Sequence, residues 1–297
     1  MYKIHPKEIY DLNQNSYTFG ILDHDHKGLT GRGTKYWLTA VIDGELIQRE
    51  YTIMDLIENA PIASEIESIK IHYLQRQKEI EEEREREYKR LSELMKRSKS
   101  IELKTLNEFP LILTIDNFLS DSACKMLINE TEELKYIEAP VTLDGNKGVF
   151  KIMPDVRNNT RVILDDTNLA DFLIFQLKKY LPETFKNEWE LTKLNSRFRF
   201  YRYEKGQTFK PHIDGKYIES EICESKLTLL IYLSDNFIGG ETTFFDQTED
   251  KLRFKVKPKL GQVLVFDHHQ LHSGDPVIDG IKYVLRTDVM YTKKNMD

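Results

Sequence analysis

After Asn195 the chain is a succession of short strand-like runs, and this succession restricts the fold more than any other feature. Six runs of five to eleven residues, rich in β-branched and aromatic residues, are separated by polar turns. They are RFRFYRY, KLTLLIYL, ETTFF, LRFKVK, QVLVF and IKYVLRTDVMY. Many short strands that follow helices predict packed antiparallel sheets with helices on one outer face. We therefore predict an α+β fold with a jelly-roll core and supporting helices.

The supporting helices are predicted upstream of these strands. The stretch NEFPLILTIDNFLSDSACKMLINETEEL has the pattern of a strand followed by a helix. That helix should begin near Ser120 or Asp121, because both residue types are good N-caps. A second apolar run, LADFLIFQLKKYL, predicts another helix before the strands begin.

A long charged helix is predicted from Ser64 to Lys99, where the chain has neither Pro nor Gly. Apolar residues at helical spacing mark both ends, and Glu and Arg at i,i+4 spacing fill the middle. The apolar positions are Ile62, Ile66, Ile69, Tyr73, Tyr88, Leu91 and Met95. We predict a helix that packs at both ends and is solvated between them, so that a fragment beginning near residue 104 stays folded. The alternative is a dimerising coiled coil, which would give an oligomer through this helix.

Residues 1–60 form a small accessory region whose function the sequence does not indicate. They combine strand-like runs, such as Tyr36–Ile42 before an Asp-Gly turn, with a short helix pattern at Ile53–Ile57. The predicted organisation is this region at 1–60, the charged helix at 61–104 and the jelly-roll domain at 105–297.

Composition argues against several classes of protein. The chain of 297 residues carries a net charge of −6, so no nucleic-acid partner is expected. No apolar run approaches the roughly 18 residues that span a bilayer, and no apolar signal core follows Met1, so neither membrane insertion nor secretion is expected. Two cysteines outside any CxxC pattern favour a reducing compartment. We predict a cytoplasmic location, with the nucleus also open in a eukaryote.

A metal site is predicted at the segment FKPHIDG. In an extended strand alternate side chains share a face, so His212 and Asp214 project together while Ile213 points away. A third ligand is available from the segment VFDHHQLHSG. The histidines of that segment are His268, His269 and His272. Two His and one carboxylate with open coordination positions suit non-haem iron(II).

The pattern His-x-Asp is weak by itself, and it has other interpretations. For His212 the alternative is a hydrogen-bonded histidine inside the barrel. A second group of the same residue types, His24-Asp25-His26, lies in a polar loop with no strand before it. We interpret that second group as a solvated turn.

Two cations on the last strand are predicted to face the same site. Lys282 and Arg286 are four residues apart, so they share a strand face with Val284 and Asp288. Cations directed into a barrel are costly to bury unless an anion meets them, and a dicarboxylate cosubstrate would do so. For Arg286 the alternative is a structural salt bridge with Asp288.

From about Phe109 to Tyr291 the chain resembles the catalytic domain of the prolyl 4-hydroxylase-like iron(II)- and 2-oxoglutarate-dependent dioxygenases. The matching segments are FPLILTIDNFLSDSACKMLI, RFYRYEKGQTFKPHIDG, LTLLIYLSDNFIGGETTFF, KPKLGQVLVFDHHQLHSG and DGIKYVLRTDVMY. The resemblance implies a double-stranded β-helix. The implied iron ligands are His212, Asp214 and His272. The implied 2-oxoglutarate contacts are Lys282, with Arg286 as the second choice, and Tyr203.

The resemblance also implies the reaction. Iron(II), 2-oxoglutarate and O₂, with ascorbate as an optional reductant, would hydroxylate a substrate C–H bond with release of succinate and CO₂. Collagen-type members have signal sequences and cysteines that this chain lacks, so "prolyl" is a family name here and not a prediction of the substrate. The segments expected to rim the site, DGKYIESEICESK and GNKGVFKIMPDVRNNTR, carry mixed charge. Mixed charge favours a peptide or protein substrate over a lipid, and a small-molecule substrate stays open.

Two other functions fit part of the pattern. A non-catalytic barrel could act as a scaffold whose long helix binds partners, and a damaged set of ligands would favour it. A hydrolase could use the same three ligands for zinc. Zinc hydrolysis would leave the inward-facing Lys282 and Arg286 without a role, so the sequence favours the oxygenase.

Overall fold

The chain divides into two compact units, Met1–Lys89 and Arg90–Asp297, in a computed structural model. The structure describes residues 7–10, 16–22, 35–42, 45–51, 63–96, 99–143, 149–246 and 252–294. The short helix predicted at Ile53–Ile57 lies outside the described residues. None of the helices in the described ranges is long and apolar enough to cross a membrane. The boundaries predicted near residues 60 and 104 stay predictions.

The N-terminal unit contains an antiparallel sheet in which strands adjacent in sequence are adjacent in space. Its order is β1-β2-β3-β4. The strands are β1 (Lys7–Tyr10), β2 (Ser16–Leu22), β3 (Lys35–Ile42) and β4 (Glu45–Tyr51). Only Asp43 and Gly44 separate β3 from β4, and this dipeptide favours tight hairpin turns.

The charged helix α1 (Ala63–Met95) packs at its C-terminal end. Leu94 is fully buried in the core of the C-terminal unit. Arg90 forms ion pairs at 2.9 Å with Glu130 and at 2.7 Å with Asp166. Just before this turn the helix side chains are largely exposed. The last turn of α1 therefore belongs to the folded body of the C-terminal unit.

Leu94→Ala is expected to lower the free energy of unfolding of this unit by about 2–5 kcal/mol, because it deletes a fully buried side chain. Met95→Ala is the matched control, since Met95 is 55% exposed, and its effect should stay within about 0.5 kcal/mol. Urea titration of the full chain, followed by circular dichroism, measures both. Equal stability of the Leu94→Ala and Met95→Ala chains would show that Leu94 adds nothing to the core.

We also expect a fragment that begins at residue 104 to be less stable than one that begins at residue 88.

The C-terminal unit contains most of the strands of the chain. In chain order they are β5 (Glu102–Asn107), β6 (Ile112–Asp116), β7 (Ile137–Glu138), β8 (Val141–Leu143), β9 (Val149–Lys151), β10 (Thr160–Asp165), β11 (Thr184–Phe185), β12 (Trp189–Leu194), β13 (Arg197–Tyr203), β14 (Phe209–His212), β15 (Ile218–Ser220), β16 (Cys223–Tyr232), β17 (Ile238–Gly239), β18 (Thr242–Phe245), β19 (Leu252–Val256), β20 (Val263–Asp267), β21 (His272–Gly274), β22 (Val277–Asp279) and β23 (Lys282–Lys293).

These strands form two antiparallel sheets that pack face to face. The large sheet has the order β5-β6-β20-β16-β23-β13-β10-β7. Off this path, β12 pairs with β23 and with β11, and β15 pairs with β16. The small sheet has the order β14-β21-β18-β19. Strand pairs β17–β22 and β8–β9 are separate. Apolar side chains of both sheets form one buried cluster: Ile112, Tyr201, Tyr203, Tyr232, Phe244, Val256, Leu264, Phe266, Val277 and Val284. The predicted jelly-roll core, two packed sheets of short strands, is present.

The opposite face of the large sheet is covered by helices. They are α2 (Asp121–Glu132) and α3 (Thr167–Leu177), the latter continued by a 3₁₀ turn at Lys178–Tyr180. Ser120 Oγ accepts a hydrogen bond of 3.1 Å from the Ala123 amide, so α2 begins where its N-cap predicted. Asp166 caps α3 in the same way, by accepting 2.8 Å from the Leu169 amide.

Successive side chains of β23 point alternately to the helix-covered face of the large sheet and to the space between the two sheets. Leu285 and Val289 enter the core beneath the helices. The residues between and beside them line a cavity between the two sheets: Lys282, Val284, Arg286 and Asp288. The even spacing of the two cations therefore predicted their common face correctly.

Candidate active site

Two paired strands of the small sheet, β14 and β21, and the residues just after β14 bring three metal-binding side chains together. His212 is the last residue of β14, His272 is the first of β21, and the two strands pair with these residues opposite each other. Asp214 lies just beyond the end of β14, so the strand is shorter than the sequence predicted. The Asp214 amide donates a hydrogen bond of 3.1 Å to the His268 carbonyl, which fixes the chain where the carboxylate turns inward.

The donor atoms of His212, Asp214 and His272 all lie within 4.8 Å of one another. Asp214 Oδ1 lies 3.7 Å from Nε2 of His212, and Asp214 Oδ2 lies 3.7 Å from Nε2 of His272. The Nδ1 atoms face the carbonyl oxygens of Lys210 and Gln270, at 2.8 and 2.9 Å. These carbonyls set the ring orientation and leave Nε2 free to coordinate. Two imidazole nitrogens and one carboxylate fit a divalent iron ion with open positions.

Electrostatics hold the three groups in the protonation states that a metal requires. Burial acts to raise the pKa of Asp214, but Arg286 and the two histidines hold that pKa far below its ordinary value. Burial, together with His272, lowers the pKa of His212 to about 3. Burial likewise lowers the pKa of His272. The set is therefore one carboxylate and two neutral imidazoles at physiological pH.

A hydrogen-bond chain behind Asp214 orients its carboxylate. Thr228, in the middle of β16, donates to Asp214 Oδ2 at 2.7 Å and lies 2.8 Å from Nδ1 of His268. The other ring nitrogen of His268 is 2.7 Å from the Ser225 hydroxyl. His268 is thus a buried supporting residue, whereas His269 is exposed and bonds to Asp267. Of the three histidines in that segment, only His272 lies in the cluster.

Lys282 lies in the same cavity with no carboxylate against it. Its side chain is almost fully buried and donates 2.7 Å to the Gly240 carbonyl. Within the described part of the chain, no carboxylate oxygen lies within 4.0 Å of its Nζ. The rings of Tyr203 and Tyr232 lie 5.2 and 5.6 Å away. Burial lowers the pKa of Lys282 to about 8, and Asp275 and Glu241 act against this shift.

Arg286 has carboxylate partners on both sides. Its Nη2 lies 3.3 Å from Asp214 Oδ1 and 3.2 Å from Asp288 Oδ1. Asp288 Oδ2 also accepts hydrogen bonds from Arg199 at 3.3 Å and from the side-chain amide of Asn195 at 3.2 Å. The salt bridge offered as the alternative for Arg286 therefore exists. Lys282, by contrast, is a buried cation with no carboxylate oxygen within 4.0 Å among the described residues.

One cavity of about 710 Å³ contains all six predicted site residues, a volume ordinary for ligand pockets. The six are His212, Asp214, His272, Lys282, Arg286 and Tyr203. Sequence reasoning missed Thr228 and His268 as supporting residues. Thr228 lies near the triad because the cross-strand register places it opposite Asp288, and no local sequence pattern predicts that register. His24-Asp25-His26 and Lys147 of the predicted rim segment lie outside the described residues.

Comparison with known proteins finds relatives among the 2-oxoglutarate oxygenases. The family model of the 2OG-Fe(II) oxygenase superfamily matches residues 198–287. Prolyl 4-hydroxylase 2 of Arabidopsis thaliana is 28% identical over 211 residues, which cover 61% of this chain and 67% of that protein. Probable prolyl 4-hydroxylase 3 of the same plant is 33% identical over 204 residues, covering 59% and 67%. The crystal structure of a viral collagen prolyl hydroxylase from Paramecium Bursaria Chlorella virus-1 aligns with a TM-score of 0.42 and 23% identity, covering 61% and 96%.

The fold and the family match define a 2-oxoglutarate- and iron(II)-dependent oxygenase. Within that class, the plant relatives show that the chain belongs to the prolyl 4-hydroxylase-like family. The protein is thus a 2-oxoglutarate-dependent dioxygenase of the hydroxylase type. Membership of this family implies iron(II), 2-oxoglutarate and O₂ as its cofactor and cosubstrates.

Proposed function

We propose that this protein hydroxylates a C–H bond in a peptide or protein, with a prolyl residue as the first candidate, and releases succinate and CO₂. His212, Asp214 and His272 would hold the iron, and Lys282 beside Tyr203 would hold the distal carboxylate of 2-oxoglutarate. The observation that carries this proposal is that one cavity holds a metal-type triad and a buried lysine with no carboxylate oxygen within 4.0 Å among the described residues.

Iron(II) and 2-oxoglutarate, when bound, supply the activation of O₂ for C–H hydroxylation. The protein's own contribution is positioning and enclosure. Lys282 would fix one end of the cosubstrate by a charge-assisted hydrogen bond in a water-poor site. Thr228 holds the Asp214 carboxylate in one orientation, and the aromatic cluster between the sheets keeps water out from behind the triad.

The rim of the cavity favours a peptide over a small molecule. Phe150, Ile213, Tyr217 and Ile218 all line the cavity while remaining 41–60% exposed. Exposed apolar side chains around a pocket are typical of surfaces that bind a chain. The plant relatives carry the name prolyl 4-hydroxylase, which supports proline as the first residue to test. The cytoplasmic location, the use of ascorbate and an oligomer through α1 stay predictions.

A zinc hydrolase and a non-catalytic scaffold each leave some of the residues that line the cavity without a role. A zinc hydrolase would give the buried Lys282 charge no function, although burying it is costly. A scaffold would need neither the triad nor the chain of hydrogen bonds behind Asp214.

The test is incubation of the full chain with iron(II), 2-oxoglutarate and a panel of proline-containing peptides. We expect one oxygen atom to be added to a peptide, with an equal amount of succinate formed. Omission of iron or of 2-oxoglutarate should remove both products. Succinate formation that no peptide stimulates, with no peptide oxidised, would contradict a peptide substrate while leaving the oxygenase assignment intact.

A further inference from the structure

An arginine cluster forms one wall of the cavity, where three neighbouring strands lie side by side. In the register of β13 and β23, Arg199 is opposite Arg286. In the register of β10 and β13, Arg161 is opposite Tyr201. Arg157, which precedes β10, lines the same cavity. Four of the arginines that line the cavity therefore lie together on this wall.

Arg157 is fixed in place by two aromatic rings. Its guanidinium carbon lies 4.4 Å from the ring centres of both Tyr201 and Phe209. Phe209 in turn stacks on His212, with ring centres 3.4 Å apart. Arg157 Nε donates 2.8 Å to Asn159, and one of its terminal nitrogens is buried without a hydrogen-bond partner. This arrangement places a rigid positive charge next to the triad.

The carboxylates of the cavity are already engaged elsewhere. Asp288 lies between Arg199 and Arg286, and Asp214 lies between Arg286 and the histidines. Both carboxylates therefore face the Arg286 side of the wall. Neither appears as an ion-pair partner of Arg157 or Arg161 among the described residues.

Arg161 is the arginine of this cluster that is best placed to bind an anionic ligand. Arg161 lines the cavity and is partly exposed, and its buried Nε has no hydrogen-bond partner among the residues that the structure describes. Within the described ranges, no carboxylate oxygen lies within 4.0 Å of its guanidinium group. Burial lowers the pKa of Arg161; Tyr201 opposes this, and the charges of Arg157, Arg199 and Arg286 add to it. The site thus lacks an anion at Arg161.

Iron(II) and 2-oxoglutarate do not remove this excess of positive charge. Their formal charges are equal and opposite, so binding both leaves the balance of the cavity unchanged. Lys282 would take the distal carboxylate of the cosubstrate, and its position on β23 is separated from Arg161 by the intervening strand β13. Of the remaining components of the reaction, O₂ is uncharged, so the substrate is the one that can carry a negative charge. A negative charge on the substrate would offset the charge of the arginine wall.

We infer that Arg161 binds a carboxylate of the substrate, so that the preferred substrate is a peptide with an acidic residue close to the hydroxylated position. This inference rests on the proposed peptide substrate. The planar guanidinium fork matches a carboxylate bidentately. The cluster lies inside a cavity of a chain with a net charge of −6, which disfavours a nucleic-acid partner.

The test uses matched proline peptides that carry Glu, Gln or Lys at each position flanking the proline. Binding is measured with redox-inactive Mn(II) and 2-oxoglutarate, and hydroxylation is measured with iron(II). In the wild-type chain the best Glu peptide should bind about 10–100-fold more tightly than its Gln counterpart. Arg161→Gln should bind the Glu and Gln peptides with equal affinity, and Arg161→Glu should bind the Lys peptide more tightly than the Glu peptide. Arg253→Gln, an exposed arginine bonded to Asn107 away from the cavity, should keep it.

The outcomes separate the two claims. Hydroxylated peptides with equal affinity for Glu and Gln would overturn the acidic preference alone. A preference that survives in Arg161→Gln, with unchanged thermal unfolding, would overturn the role of Arg161. Free glutamate that competes as strongly as the Glu peptide would overturn the peptide as the source of the carboxylate. If no peptide binds or is oxidised, both the proposed substrate class and this inference fail.

Discussion

Single replacement of His212, Asp214 or His272 by alanine is expected to abolish 2-oxoglutarate turnover. Each change removes one of three donor atoms that lie within 4.8 Å of one another. Hydrogen-bond partners of metal ligands alone are worth about 10–100-fold in metal affinity or activity, so loss of a ligand should exceed that. The measurement is succinate formation at saturating 2-oxoglutarate and iron(II).

The matched control is His269→Ala, three residues before His272 in the same segment. Its side chain is exposed and bonds to Asp267, so we expect turnover close to that of the wild type. Thermal unfolding should show that all four variants are folded. Full turnover in His272→Ala together with loss in His269→Ala would reverse the choice of the third ligand.

Lys282→Ala is expected to raise the KM for 2-oxoglutarate strongly. The Lys282 ammonium is buried and has no carboxylate within 4.0 Å among the described residues, so the cosubstrate would be its ionic partner. Breaking a buried charge pair costs about 3–5 kcal/mol, which is about two to three and a half decades in affinity. Initial rates over a range of 2-oxoglutarate, with iron saturation checked, measure the effect. Lys282→Met keeps the apolar stem and should show a comparable defect.

Arg286→Ala is the comparison that decides between the two predicted cosubstrate contacts. Four residues along a strand separate the two Cα atoms by about 13 Å, so one carboxylate cannot be central to both. Arg286 already pairs with Asp214 and Asp288, and its loss should raise the KM less than loss of Lys282. A larger KM defect in Arg286→Ala would make Arg286 the anchor and leave the triad assignment unaffected.

The parts of this site that the sequence predicted depend on local spacing. The even interval between Lys282 and Arg286 placed both side chains on one strand face, and that face lines the cavity. The interval between His212 and Asp214 predicted convergence, which is observed although β14 ends before Asp214. The strand-like runs after Asn195 predicted the two-sheet core, because alternation reports directly on which side is buried.

The parts that the sequence could not predict depend on pairing between distant segments. Thr228 donates its hydrogen bond to Asp214 only because β16 lies beside β23. The sequence around Thr228 has the pattern of an ordinary buried strand and does not indicate this role. Arg286 lies between two carboxylates, whereas Lys282 has no carboxylate within 4.0 Å among the described residues, although both cations lie on the same face of β23. Leu94 is buried whereas Met95 is not, and this depends on what the end of α1 packs against.

Equilibrium binding of iron(II) under anaerobic conditions tests the central claim most directly, because it requires no knowledge of the substrate. The wild-type chain should bind one iron(II) ion per molecule, and binding should tighten when 2-oxoglutarate is added. Asp214→Ala should lose about 100-fold or more of that affinity, since it removes the carboxylate that both histidines face. Unchanged iron binding in a folded Asp214→Ala variant would show that the metal of this oxygenase lies elsewhere.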